Sequence, residues 1–105
     1  MTLNEYQESA MKTALPAAMN VTYMTLGLAN EAGEVAGKLK KQMRDFTAHD
    51  EFRLAMAKEL GDTLWYLAGC ATQLGFSLET IAGANLTKLA SRQARGVIGG
   101  SGDER

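Results

Sequence analysis

Three pairs of acidic side chains stand three positions apart: Glu5 with Glu8, Glu31 with Glu34, and Glu59 with Asp62. On a helix this spacing puts both carboxylates on one face, where like charges repel and weaken the helix. With twelve acids in 105 residues, some such pairs arise by chance and decorate a solvated surface. Their neighbours separate the three. Glu5 and Glu8 belong to a mostly polar segment and serve as an internal control. Glu31 lies between Leu28 and Val35 on an apolar stripe, and Glu59 and Asp62 sit beside Leu60, Leu64 and Trp65. A carboxylate in such surroundings must be compensated or protonated.

If the helices carrying the second and third pairs pack antiparallel, Glu31, Glu34, Glu59 and Asp62 converge into an all-oxygen nest. Magnesium prefers carboxylates, keeps several waters and completes its shell with substrate phosphates, so four acids without histidine favour Mg2+ or Mn2+ over zinc. A di-iron bundle would need Glu-x-x-His pairs. The one histidine, His49, falls between the two helices and reads as a surface residue.

Holding such a nest is a task for long helices. Proline occurs once, at Pro16, and good helix formers are frequent. Thr2 with Glu5 matches a capping box, which predicts a first helix from near Leu3 that stops before Pro16. From about Met19, the residues Met24, Leu28, Val35, Leu39 and Met43 draw one apolar stripe along a long second helix that should face the core. "RDFTAHDE" interrupts it. A third helix begins near Asp50 or Glu51, carries Leu60, Leu64, Leu67, Ala71 and Leu74, and stops at Gly75. Ser77 caps a fourth, which runs to about Gln93. The expectation is an all-α antiparallel bundle of four to five helices, one domain over residues 1–105. Its tail, from about 96 to 105, holds four glycines within seven residues and is predicted to be mobile or ligand-ordered.

Eleven basic against twelve acidic residues give a net charge of -1, which argues against a nucleic acid polymer or a membrane surface as partner. An anionic ligand must be caught locally. The single cysteine, Cys70, excludes an intrachain disulfide and fits a reducing cytoplasm. The first residues lack a continuous apolar run, so a signal peptide or membrane anchor is not expected. A chain this short buries roughly 65% of its unfolded surface, so association with copies of itself would help it considerably.

The blocks "GLANEAGEVAGKLKK" and "KELGDTLWYLA" resemble the MazG-like family of all-α nucleoside triphosphate pyrophosphohydrolases, from about Leu26 to the tail. The shared core is a Glu-x-x-Glu pair on one helix and a Glu-x-x-Asp pair on the next, flanked here by Gly27, Gly33, Leu60, Gly61 and Leu64. The resemblance implies metal-dependent hydrolysis of a (deoxy)nucleoside triphosphate between its α and β phosphorus atoms, with a role in nucleotide-pool housekeeping. Glu31, Glu34, Glu59 and Asp62 would hold the metal, and the assembly would be a homodimer or a dimer-of-dimers tetramer. Many relatives carry an acid immediately before the first motif glutamate, where this chain has Asn30. An amide cannot take a proton from the attacking water, which leaves Glu34, ahead of Glu31, or a metal-bound hydroxide with no dedicated base, for that task.

Asn85 and Lys88 resemble the family's helix-borne asparagine and lysine near the substrate, with Arg92 and Arg95 following at helical steps. The competing reading is an ordinary basic helix end. Lys38 reads first as the i, i+4 ion-pair partner of Glu34 and second as a phosphate contact. Trp65 and Tyr66 follow Asp62 by three and four positions, so one of them should project near the metal-binding face. Tyr66 is better placed by angle, and Trp65 reads first as core. Two alternatives stand beside this reading: a phosphoribosyl-ATP pyrophosphohydrolase-like enzyme, and a non-catalytic helical protein-interaction module.

Overall fold

Local signals set the helix ends. The Thr2 hydroxyl accepts from the Glu5 amide at 3.1 Å and the Glu5 carboxylate accepts from the Thr2 amide at 2.7 Å, so the capping box of helix α1 (Leu3–Met11) is complete. Pro16–Ala18 forms one 3-10 turn, and the Asn20 side chain then caps α2 (Val21–Asp45) by accepting from the Tyr23 amide at 2.7 Å. Phe46, in the left-handed region at φ 51°, closes α2. Helix α3 (His49–Gln73) follows directly, so the expected interruption is a corner of three residues with an exposed His49 as the first residue of the new helix. Gly75 ends α3 with φ 80°, and the Ser77 hydroxyl caps α4 (Leu78–Ala94). The computed structural model describes residues 1–105; it contains no strand, and no helix is long and apolar enough to cross a membrane.

The two 25-residue helices α2 and α3 form an antiparallel hairpin about 37 Å long. Two interlocking notches set its register. The Tyr66 ring lies against Gly27, where any Cβ would overlap it, and Met24 packs against Gly69 in the same way. Met24 is wholly buried. Each helix thus presents one large side chain to one glycine of the other, which brings the two backbones close together.

Helix α1 packs on α3 and α4, and neither α1 nor α4 touches α2. Polar side chains make this corner. Gln7 donates to Thr72 Oγ1 at 2.9 Å and to the Phe76 carbonyl at 3.0 Å, and it accepts from the Leu78 amide at 2.8 Å. Asn4 exchanges bonds with Glu79, side chain to side chain and side chain to amide. The Trp65 indole donates to the Ala10 carbonyl at 3.2 Å and to Thr13 Oγ1 at 2.9 Å, which pins the end of α1 to α3.

Much of the expected core is open. Of 105 residues only 8 are buried, and Leu39, Met43, Leu60 and Leu74, all on the apolar stripes, are at least half exposed. The accessible surface is 7347 Å2, against about 5,700 Å2 for a compact monomer of this mass. The radius of gyration is 16.5 Å where about 13 Å is usual. The stripes are therefore correct as apolar faces, yet a single chain supplies too few helices to cover them. The tail, expected to be mobile or ligand-ordered, folds into turns against the end of α4.

The notches carry a prediction. Gly27→Ala should lower stability by about 1–3 kcal/mol, because overlap with Tyr66 outweighs the gain in helix propensity of about 1 kcal/mol. Gly37→Ala, which has nothing within 4 Å of the added methyl, should raise stability. Urea unfolding of the two variants checks this; equal midpoints would contradict the notch.

Candidate metal and nucleotide site

Across the hairpin from the notches, one turn further along, stand the acids. Tyr23, Gly27 and Glu31 follow one another at steps of four on α2, while Asp62, Tyr66 and Gly69 run antiparallel to them on α3. The same register that seats Tyr66 on Gly27 therefore sets Glu31 opposite Asp62. Carboxylate oxygens of Glu31, Glu59 and Asp62 all lie within 4.8 Å of one another. Glu31 and Glu59 are half-buried and Asp62 is exposed, so the group opens to solvent on one side.

Glu34 stands outside this trio. It lies about 60° round α2 from Glu31, on the solvent side of the stripe, and its side chain is exposed. Its charge still reaches Glu31, whose carboxyl is pushed above the ordinary range, first by loss of solvent and then by repulsion from Asp62, Glu59 and Glu34. The control pair behaves as a surface pair should. Glu5 serves the α1 cap, and Glu8 makes an exposed contact with Lys12 at 3.8 Å.

Lys38 does not pair with Glu34 on its own helix. It reaches across the hairpin to Glu59 at 3.5 Å, with Glu59 only 16% exposed. Lys38 and Lys58 also line a cleft of about 380 Å3 beside Glu59, with Glu51, Leu54 and Ala55 completing the wall. A larger cleft, about 510 Å3, lies at the α1 corner, but its one carboxylate is the Glu8 already paired with Lys12. The chemistry sits with the smaller one.

Tyr66 flanks the trio as its angle suggested. Its hydroxyl is pushed above the usual phenol range by burial, by the neighbouring Tyr23 hydroxyl and by the negative charges of Glu31 and Asp62, so it stays protonated and able to donate. The Tyr23 and Tyr66 rings are 6.4 Å apart at 32°. Trp65 stands edge-on to the Tyr66 ring, centroids 4.9 Å apart, with its indole N–H committed to α1. From α1 the Tyr6 hydroxyl is also raised, by burial and by Asp62. Asn85, Lys88, Arg92 and Arg95 on α4 make no bond to the trio in their own chain; Lys88 and Arg92 pair with Asp103 and Arg95 with the Arg105 carbonyl.

Three flanking residues escaped sequence reasoning. Tyr23 had a signal, lying eight positions before Glu31 on the same helical face, and Lys58 immediately precedes Glu59. Tyr6 had none, because its place depends on how α1 docks.

The family model described as the MazG nucleotide pyrophosphohydrolase domain matches residues 20–97. The chain is also similar to the Gene 37 protein of Mycobacterium phage L5, 45% identical over 114 aligned positions that cover the whole of both chains. No solved structure matches.

Charge repulsion in the trio has a thermodynamic consequence. The folded-state pKa of Glu31 is raised, so its contribution favours folding below its unfolded value and is lost as pH rises through the raised value. In metal-free buffer near neutral pH, Glu31→Gln should therefore melt higher than the wild type, and the gap should close as the solution is acidified. Added Mg2+ should raise the wild-type melting temperature and leave the variant's unchanged. A variant that melts lower at neutral pH would contradict the repulsion.

Proposed function

The chain belongs to the MazG nucleotide pyrophosphohydrolase family, and we propose that it hydrolyses (deoxy)nucleoside triphosphates to the monophosphate and pyrophosphate with a divalent cation held between α2 and α3. The observation that carries this reading is the convergence of Glu31, Glu59 and Asp62 within 4.8 Å across the hairpin. Three carboxylates with no histidine or thiol among them fit a hard cation, Mg2+ or Mn2+. When bound, such an ion offsets charge on phosphate oxygens and makes a coordinated water more acidic.

The chain's own residues supply the rest. Glu34, exposed one turn beyond Glu31 and outside the trio, accepts the proton of the water that attacks the α-phosphorus. The bond from that phosphorus to the bridging oxygen breaks, and pyrophosphate leaves. Lys38 and Lys58 line the adjoining cleft and meet phosphate oxygens. Tyr66, with Tyr23 beside it, offers an aromatic face for the base and a protonated hydroxyl for a polar contact.

Asn85, Lys88, Arg92 and Arg95 reach a nucleotide from a second copy. A surface roughly 1,600 Å2 larger than a compact chain exposes leaves room for more than one interface of about 800 Å2 per partner. A homodimer, or two of them joined, covers the open stripes and brings the α4 of one chain towards the hairpin of another. Sedimentation of the chain should therefore give at least twice its 11.3 kDa mass; a monomer at micromolar concentration would contradict this assembly.

Activity separates the roles. With Mg2+ and a panel of ribo- and deoxyribonucleoside triphosphates, Glu59→Gln should lower kcat/KM for pyrophosphate release by at least about a hundredfold, the loss of a few kcal/mol of charge stabilisation. Glu34→Gln should lower kcat while keeping the Mg2+-induced rise in melting temperature, because it removes a base and spares the ligands. Full activity in Glu59→Gln would remove that residue from the site. No pyrophosphate from any nucleotide would favour the interaction module instead.

A further inference from the structure

The last nine residues fold back on α4 in a way that the proposed reaction does not use. Lys88, Arg92 and Arg95 lie at steps of four and three, one cationic stripe along the helix. Asp103 sits on it: one carboxylate oxygen accepts from Lys88 at 2.9 Å and from Arg92 at 3.2 Å, and the Asp103 carbonyl accepts from Arg92 at 2.6 Å. Arg95 donates to the Arg105 carbonyl at 2.9 Å. The strap is tied internally by the Arg105 guanidinium, which donates to the carbonyls of Val97, Ile98, Gly99 and Gly102. Turns at Gly100 and Gly102, with φ of 100° and 89°, let the chain reverse there.

The fit is incomplete. Lys88 and Arg92 share a single carboxylate, Arg95 is met only by a main-chain oxygen and by Ser91, and Arg92, whose side chain is only 7% exposed, keeps its Nε with no partner. A buried guanidinium nitrogen without an acceptor shows that the strap satisfies Arg92 only in part. Asp103 itself is 76% exposed, and an ion pair with one solvated member is weakly held. Lys88, Ser91, Arg95, Asp103, Glu104 and Arg105 line a cleft of about 250 Å3 at this point.

We infer that the Lys88–Arg92–Arg95 stripe is a polyphosphate-binding site and that residues 97–105 are its built-in competing occupant, with the Asp103 carboxylate where a phosphate oxygen goes. The inference rests on the assignment of these cations to the nucleotide, and it adds that the phosphate chain must displace the strap to reach them. A strap closed nine-tenths of the time reduces apparent affinity about tenfold, and freeing it returns that factor.

The probe is tripolyphosphate in EDTA, titrated calorimetrically into the full chain while the amide signals of Gly99, Gly100 and Gly102 are followed by NMR. In the wild type, tripolyphosphate should move those signals to random-coil positions. Asp103→Asn should show them displaced part of the way there already and bind tripolyphosphate roughly three- to tenfold tighter. Glu104→Gln removes the same charge without breaking a bond to the stripe and should change binding less than about twofold. Equal tightening by both variants would reduce the effect to net charge and overturn the strap, as would glycine signals that stay put at saturation. Nucleotide hydrolysis distinguishes the two proposals. A chain that hydrolyses nucleotides while its tail ignores tripolyphosphate overturns the strap alone; a tail released by tripolyphosphate in a chain that hydrolyses nothing supports the strap and overturns the enzyme.

Discussion

The close approach of α2 and α3 at Gly27 and Gly69 is the constraint on which the rest depends. Tyr66 and Met24 can seat in those notches in one register only, since a slip of one residue on a helix rotates every side chain by 100°. That register puts Glu31, a turn beyond Gly27, opposite Asp62, a turn before Tyr66. Three like charges gather because apolar packing elsewhere holds them there. The energy that seats Met24 out of water is what maintains an arrangement the acids by themselves would disperse.

Such a site is stable only in relation to something absent from the polypeptide. Lys38 supplies part of the compensation by crossing to Glu59, and the open side of the trio leaves the remainder to solvent. The half-exposed geometry suits exchange, because a cation that keeps several waters needs room for them and for a substrate's oxygens.

The parts of this structure legible in the sequence were those carried by neighbours in the chain. The capping box at Thr2, the cap at Ser77 and the stop at Gly75 each depend on a few adjacent residues, and the helix ends follow from them. Spacing plus apolar surroundings pointed to four acids, of which Glu31, Glu59 and Asp62 converge and Glu34 does not. Contacts between distant residues were not legible. Lys38 was expected to pair with Glu34 on its own helix, and the hairpin register brings Glu59 to it instead. Trp65 looked like core or site, but its indole found the Ala10 carbonyl, 55 residues away. Periodicity marked the stripes of α2 and α3 as apolar without saying what covers them, because a pattern identifies a face and never its partner. The tail's composition predicted freedom, and Arg105, bonding to four carbonyls of its own segment, works against that entropy.

The corner at Gln7 has a mechanical side. Helix α4 is 17 residues long, about 25 Å, and the side-chain hydrogen bonds that join it to α1 lie at its first turn, where Gln7 and Asn4 hold the Leu78 and Glu79 amides. It is therefore a cantilever fixed at one end. A rotation of about five degrees at that anchor sweeps Arg95, near the far tip, through about 2 Å. The aim of the cationic stripe is thus sensitive to two amide side chains of α1 at the opposite end of the helix.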